Sequence, residues 1–128
     1  MNVVDSSAWL EYLANGPNAD YFAPAVEDVP RLVVPSICIL EVFKRVFQQR
    51  DEGTALQAVA LMLQGQVQEL DTEIALTAGR IGLDHRLPLA DSVVLATARQ
   101  HGAALWTQDA DFEGLEGVKF VRKKEPRN

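Results

Sequence analysis

The sequence has a single cysteine, Cys38, in 128 residues. No disulfide can form within the chain, and a reducing, cytoplasmic setting is expected. Cys38 itself reads as a small packed residue. Histidine is scarce as well. His85 and His101 are the two present, and both read as helix-end residues rather than ligands. No apolar run approaches the roughly 18–20 residues of a membrane span, so no membrane partner is expected. Met1-Asn-Val-Val-Asp5 lacks a basic segment followed by an apolar one, and a secretory signal is not expected. Positive charge is in deficit: 12 Lys and Arg against 18 Asp and Glu, a net charge of −6. That excludes a grip on nucleic acid through a broad basic face. A nucleic-acid partner would require divalent cations at an acidic site and a local basic patch. Lys44-Arg45, Arg50 and the run Arg122-Lys123-Lys124 are the candidates, although the run also reads as a solvated tail. There are no repeats, low-complexity segments or linkers, and 128 residues leave room for one domain, residues 1–128, with one sizeable core.

What is present is organised around residues 87 to 112. Pro88 ends the preceding element. Asp91 then sits at the start of a helix, where a carboxylate suits the orphan N–H groups. Val93, Val94, Leu95, Ala96 and Ala98 make that helix apolar nearly all round, which predicts burial. Gly102 suits the turn after it. Ala103 to Trp106 reads as a short strand, and it runs into Thr107-Gln-Asp109-Ala-Asp111-Phe112.

The remainder alternates in the same way. Asn2 to Val4 is a strand ending on Asp5, with Ser6 and Ser7 as N-cap candidates for a helix from Ala8 to Ala14. Asn15-Gly16-Pro17-Asn18 breaks it. Residues 19 to 28 suggest a short helix with Tyr21, Phe22 and Val26 inward and Pro24 limiting it or in its first turn. Leu32 to Val34 is a second strand. Ser36 is expected to cap a helix running to about Arg50, with Ile37, Leu40, Phe43, Val46 and Phe47 as its apolar stripe. A helix from Thr54 to about Gln64 carries Leu56, Val59, Ala60, Met62 and Leu63, and the two suggest an antiparallel hairpin. Val67 to Leu70 reads as a strand. Asp71 caps a helix from Thr72 to about His85, with Ile74, Ala75, Ala78, Ile81 and Gly82 inward. Val118 to Val121 is the last strand. About five strands alternating with helices predict an α/β fold with a short, mainly parallel sheet and helices on both faces. Such sheets place their sites at the carboxyl ends of the strands, where Asp5 and Asp109 fall.

Asp5, Glu41, Asp91 and Asp109, with Asp111 two residues on, are conspicuous carboxylates in apolar surroundings. Burying one unpaired costs several kcal/mol. Two about 4 Å apart repel by roughly 4 kcal/mol at an effective dielectric of about 20. If they converge, they need a cation, and hard oxygen ligands suit Mg²⁺ or Mn²⁺. Metal-assisted hydrolysis of a phosphodiester is the reaction class that follows. Each residue has an ordinary alternative. Asp5 can cap the helix after it, Glu41 can pair with Arg45 one turn on, Asp91 can be only an N-cap, and Asp109 and Asp111 can be turn residues.

Four stretches carry a resemblance: Val4-Asp5-Ser6-Ser7-Ala8-Trp9, Pro35-Ser36 through Leu40-Glu41-Val42, Leu89-Ala90-Asp91-Ser92, and Leu105-Trp106-Thr107-Gln108-Asp109-Ala110-Asp111-Phe112. In order and spacing the chain resembles PIN-domain ribonucleases, and more closely the VapC-type toxins of bacterial toxin–antitoxin modules. The resemblance implies a PIN-like three-layer α/β/α fold. It implies an acidic quartet on Asp5, Glu41, Asp91 and Asp109 that is both catalytic and metal-binding, with Asp111 at an extra acidic position. Ser6 and Thr107 match the family's small hydroxyl residues, which would hydrogen-bond a ligand carboxylate or a water. Mg²⁺- or Mn²⁺-dependent endonucleolytic cleavage of RNA, a homodimer and a small cognate antitoxin are implied with it. Lys44, Arg45 and Arg50, on the helix that carries Glu41, are the expected RNA contacts. Trp9 and Trp106 are expected to be core or dimer-face aromatics. The apolar helices from Ile37 to Leu63 exceed what one small sheet covers, so part of that hairpin should meet a second subunit or an antitoxin segment.

Two other functions compete. A phospho-accepting receiver module is also an open α/β domain with acids at strand ends. It would want paired acids after the first strand and a Lys at the end of the last. Here Asp5 stands alone before Ser6-Ser7, and Lys119 lies within the last strand. A PIN-like scaffold that binds without cutting is the other, and the intact quartet argues against it.

Overall fold

The computed structural model describes residues 1–125. It contains β1 (Asn2–Val4), α1 (Ser6–Leu13), α2 (Ala19–Val26), β2 (Leu32–Pro35), α3 (Ser36–Gln49), α4 (Glu52–Met62), β3 (Gln66–Gln68), α5 (Thr72–His85), α6 (Leu89–Gln100), β4 (Ala104–Thr107) and β5 (Val118–Phe120). Single 3₁₀ turns lie at Val29–Arg31 and Ala110–Phe112.

The five strands form one parallel sheet in the order β3-β2-β1-β4-β5. Two of the three interior strands, β1 and β2, are short unbroken apolar runs, Val3-Val4 and Leu32-Val33-Val34, because both their faces are covered, whereas β4 alternates between buried and half-buried residues. The two edges are Gln66-Val67-Gln68 and Val118-Lys119-Phe120, each with polar residues on the rim. The chain steps outward from β1 to β3 through α1–α4 and returns across the sheet to β4 through α5 and α6. Right-handed crossovers then place the two helix sets on opposite faces. This strand order also disposes of the receiver alternative, whose sheet runs 2-1-3-4-5. No helix among the described residues is long and apolar enough to cross a membrane.

Aspartates start three of the helices. Asp5, Asp51 and Asp71 accept from the main-chain N–H three residues on, at 2.9, 2.7 and 2.8 Å, each such cap contributing about 1 kcal/mol. Asp5, not Ser6 or Ser7, is therefore the cap of α1, which begins two residues earlier than expected. At α3 the cap position is held by Pro35, and Ser36 is the first helical residue. The helix carrying Asp91 also starts early, at Leu89, which puts Asp91 in its first turn rather than at its cap. Pro24 lies inside α2, beyond its first turn, and Tyr21 is exposed rather than inward.

The largest departure is in the hairpin of α3 and α4. The buried residues of α3 are Cys38 and Val42, and those of α4 are Ala55, Ala58 and Met62. The expected stripe splits: Met62 is buried and Ile37 and Val46 pack against the core as read, but Leu40 is 61% exposed, Leu56 53%, and Phe47 and Leu63 are exposed as well. On α5, Ala75 is likewise exposed, while Ile74, Ala78 and Ile81 are buried as read. α5 crosses α6 closely at Gly82, where a Cβ would come within 2.7 Å of Ser92 Oγ. That contact sets the depth of the first turn of α6, next to Asp91.

Candidate metal centre and adjoining groove

The carboxyl ends of β1 and β4 lie side by side, with Val4 in register with Trp106 and the Asp5 N–H donating to the Trp106 carbonyl at 3.1 Å. The parallel pairing thus brings residues about a hundred positions apart to one edge. Asp5 is 3% exposed. Its Oδ1 accepts from Ser7 Oγ at 2.8 Å and from Ala8 N at 2.9 Å, and its Oδ2 from Thr107 Oγ1 at 2.6 Å. Burial pushes its pKa up to about 6, against the pull of those three bonds, and the charge of Asp109 adds to the rise. Thr107 is the hub, because its hydroxyl oxygen also accepts from Asp109 N at 2.9 Å. Asp109 in turn starts the 3₁₀ turn, its Oδ1 accepting from Asp111 N at 2.9 Å.

Asp91 faces this edge from the first turn of α6. One carboxylate oxygen from each of Asp91, Asp109 and Asp111 lies within 4.8 Å of the others. Burial pushes Asp91 up to about 7, and the charges of Asp109, Asp111 and Asp5, with a hydrogen bond to Asp111, push in the same direction. Ionising Asp91 beside these acids costs free energy that a nearby cation would offset. Among the described residues the only ion pair is Arg31–Asp28, on the surface. An all-carboxylate donor set with an unneutralised charge fits a hard divalent ion such as Mg²⁺ or Mn²⁺.

The expected acidic residues thus divide. Asp91 and Asp109 come together with Asp111. Asp5 is coupled to them electrostatically but has both oxygens engaged in hydrogen bonds. Glu41 is outside the set of three. It is half-buried and lines a groove instead, one turn after Cys38, whose buried thiol is pushed well up by burial and by the fields of Asp5, Glu41 and Asp91. Glu41 makes no ion pair with Arg45. The hydroxyl on Asp5 from the Ser-Ser pair is that of Ser7, while Ser6 lines the groove.

That groove, about 740 Å³, runs between α1 and the α3–α4 hairpin. Ser6, Ser7, Glu41 and Gln108 stand at its acidic end, and Leu10, Leu13, Val46 and Ala58 give it apolar walls. Arg45, Arg50 and Lys123 line it, whereas Lys44 does not. Lys123, in sequence only part of a basic run, thus joins the two arginines at the groove. Sequence reasoning gave Ser7 only an N-cap role and gave Gln108 none. Asn18 looked like a breaker residue, and its contact with Gln108 spans ninety positions.

His85 ends α5, and His101, at the end of α6, hydrogen-bonds Gln68 Oε1 at 2.8 Å. Trp9 is fully buried in the core. Trp106 is half-buried, donates to Asn2 Oδ1 at 2.9 Å and carries Lys119 Nζ over its ring.

Among solved structures, a toxin–antitoxin complex from Klebsiella pneumoniae is similar, with a TM-score of 0.78, 22% identity, and coverage of 93% of this chain and 96% of that one. DNA-bound VapBC from Salmonella typhimurium gives 0.73 at 18% identity, covering 94% and 96%. VapC20 of Mycobacterium tuberculosis, a Sarcin-Ricin loop cleaving toxin, gives 0.73 at 17% identity, covering 88% and 92%. At these identities the likeness is one of fold. No curated protein matches the sequence. The PIN domain model matches residues 3–118, nearly the whole chain, and the chain belongs to the PIN domain family.

Proposed function

We infer that the protein is a divalent-metal-dependent endoribonuclease and the toxin of a toxin–antitoxin pair, with residues 1–128 acting as one PIN domain in the cytoplasm. The observation that carries this reading is the convergence of Asp91, Asp109 and Asp111 within 4.8 Å at the carboxyl edge of the sheet, without a balancing cation. Similarity to toxins, one of them described as a Sarcin-Ricin loop cleaving toxin, supports the choice of substrate and setting.

In this reading Asp91, Asp109 and Asp111 hold Mg²⁺ or Mn²⁺, with Asp5 and Glu41 completing the acidic surround. A bound ion supplies polarisation of the phosphoryl group and activation of the attacking water. The rest falls to the chain. Thr107 and Ser7 fix the carboxylate of Asp5, and Thr107 holds the main chain at Asp109, so the acids keep their positions without rearrangement. Arg45 and Arg50 bind RNA phosphates along the groove, and Lys44 from further round the same helix. Hydrolysis adds the water oxygen to phosphorus and releases one of the two bridging ribose oxygens, which takes up the proton as a hydroxyl.

The exposed leucines of the α3–α4 hairpin support a second copy or an antitoxin helix as its cover. The test is RNA cleavage with Mg²⁺ or Mn²⁺, with a chelator, and with Asp91→Asn. Cleavage should need the ion, and the variant should lose at least about a hundredfold in kcat/KM, by analogy with loss of a principal charge-stabilising group. Cutting that survives both treatments would remove the reading.

A further inference from the structure

Gln108 stands between Thr107 and Asp109, yet the reaction described above gives it no part. It is 7% exposed and lines the groove beside Ser7. A short hydrogen-bond relay fixes which way its carboxamide points. The main-chain carbonyl of Arg122 can only accept, so the Asn18 atom 3.0 Å from it is the amide nitrogen, Nδ2. That nitrogen also donates to Gln108 at 3.0 Å, and the receiving atom is therefore Oε1. The Nε2 of Gln108, with both its hydrogens, is left without a protein acceptor among the described residues. It is not an enclosed orphan either. Among those residues the one enclosed side-chain polar atom without a partner is Nε1 of Trp9. Nε2 is thus open to the groove.

The relay has a cost elsewhere. Asn18 is 2% exposed and occupies the N-cap position of α2, but it makes no side-chain cap bond there. It forgoes about 1 kcal/mol of capping to hold Gln108 and the Arg122 carbonyl. The groove is also suited to a polyanion. Arg45, Arg50 and Lys123 line it with no ion-pair partner among the described residues, and the carboxylate of Glu11 is turned to Asn18 N at 2.7 Å.

We propose that Gln108 is an RNA-positioning residue: its oriented amide N–H group donates to an acceptor oxygen of the strand seated in the groove, beside the bond to be cut. The inference rests on the ribonuclease reading. Two variants test it. Gln108→Glu keeps the acceptor that Asn18 needs and loses the donor. Gln108→Met keeps the length and loses both without adding charge. On a short RNA spanning a bond that the wild-type protein cuts, both should raise KM roughly tenfold, the loss of about one hydrogen bond. In both, kcat should change by less than about threefold, as for a contact made equally in ground and transition states. The melting temperature of Gln108→Met should stay within about a few degrees of the wild type, whereas Gln108→Glu, which buries a carboxylate beside Asp109, should melt lower. The salt dependence of KM should be unchanged in Gln108→Met but flatter in Arg45→Ala, because only the cation releases counterions. Mapping of 5′ ends separates the sources of the acceptor, and either result supports the proposal. Preference lost at one position beside the cut marks a base oxygen; uniform loss with preference intact marks a phosphate. An unchanged KM in both variants, or a rise in the Glu variant alone, overturns the role of Gln108 while the ribonuclease reading stands. A wild-type protein that cuts no RNA overturns both.

Discussion

α6 and α3 look alike as sequences, each an apolar helix with an acid in its first two turns, and the fold treats them oppositely. In α6 every residue from Ser92 to Ala98 is buried, because the helix lies across β1, β2 and β4 and α5 covers its back. In α3 only Cys38 and Val42 are fully buried, and Leu40 and Phe47 face out. The lesson is that an apolar stripe reports which face wants cover, not whether this chain supplies it. α6 also carries Asp91 into the acidic edge, whereas α3 leaves Glu41 on the wall of a groove. Full burial holds Asp91 close to Asp109 and Asp111, while a helix with one face open leaves its acid at a distance.

The comparison is broken most directly by truncation. Leu95→Ala in α6 should destabilise the protein by about 2–5 kcal/mol, since the cavity has no room to collapse. Thermal or denaturant unfolding measures it, and a loss below about 1 kcal/mol would mean α6 is no core helix.

Of similar size is the effect of pH on the metal-free protein. Asp91 is raised to about 7 and Asp5 to about 6, so the folded state keeps protons that the unfolded chain has released above about pH 4. The folded state therefore binds more protons in that window. Stability should fall as pH rises from about 4 to about 7 and level off beyond it, by on the order of 3–5 kcal/mol, buried Asp5 contributing about 3 and half-buried Asp91 a share reduced by the solvent around it. Asp91→Asn should remove the part of the slope nearest pH 7 and leave the part that Asp5 contributes. Saturating Mn²⁺ should reverse it, because the ion binds ionised carboxylates. A metal-free protein that gains stability over this range would contradict the electrostatics of the acidic edge.

The smallest effect belongs to the outer face. Leu40→Ser with Leu56→Ser should change the stability of the isolated chain by less than about 0.5 kcal/mol per site. The same pair should weaken association with a second copy or with the antitoxin, as sedimentation would show. A large drop in stability with unchanged association would place these leucines in the core after all.

Much was legible beforehand. The alternation of short apolar runs with capped helical stretches is a local signal, and it specified five strands, the parallel sheet and the edge where Asp5 and Asp109 lie. The cap of α5 at Asp71 and its span to His85 were readable because an Asp followed by a periodic apolar pattern has one good solution. The cap at Asp5 was one option beside Ser6 and Ser7, and that at Pro35 was missed, since Ser beside an Asp or a Pro leaves several choices of similar energy. Within the site, the approach of Asp91 and Asp109 was expected, but the set of three with Asp111 was not singled out. Nor was the relay from Asn18 through Gln108. These depend on side-chain directions across contacts of up to ninety positions, which no local pattern encodes.

Sequence alone determined the kinds of elements, their order and the sign of the charge at one sheet edge. Burial periodicity, capping chemistry and the right-handed crossover act over a few residues or follow from chirality. Only tertiary structure decided which carboxylates share a space, which apolar face stays bare and which way the amide of Gln108 points. Those outcomes come from packing between distant segments, where a few ångströms separate a shared ion site from a groove wall.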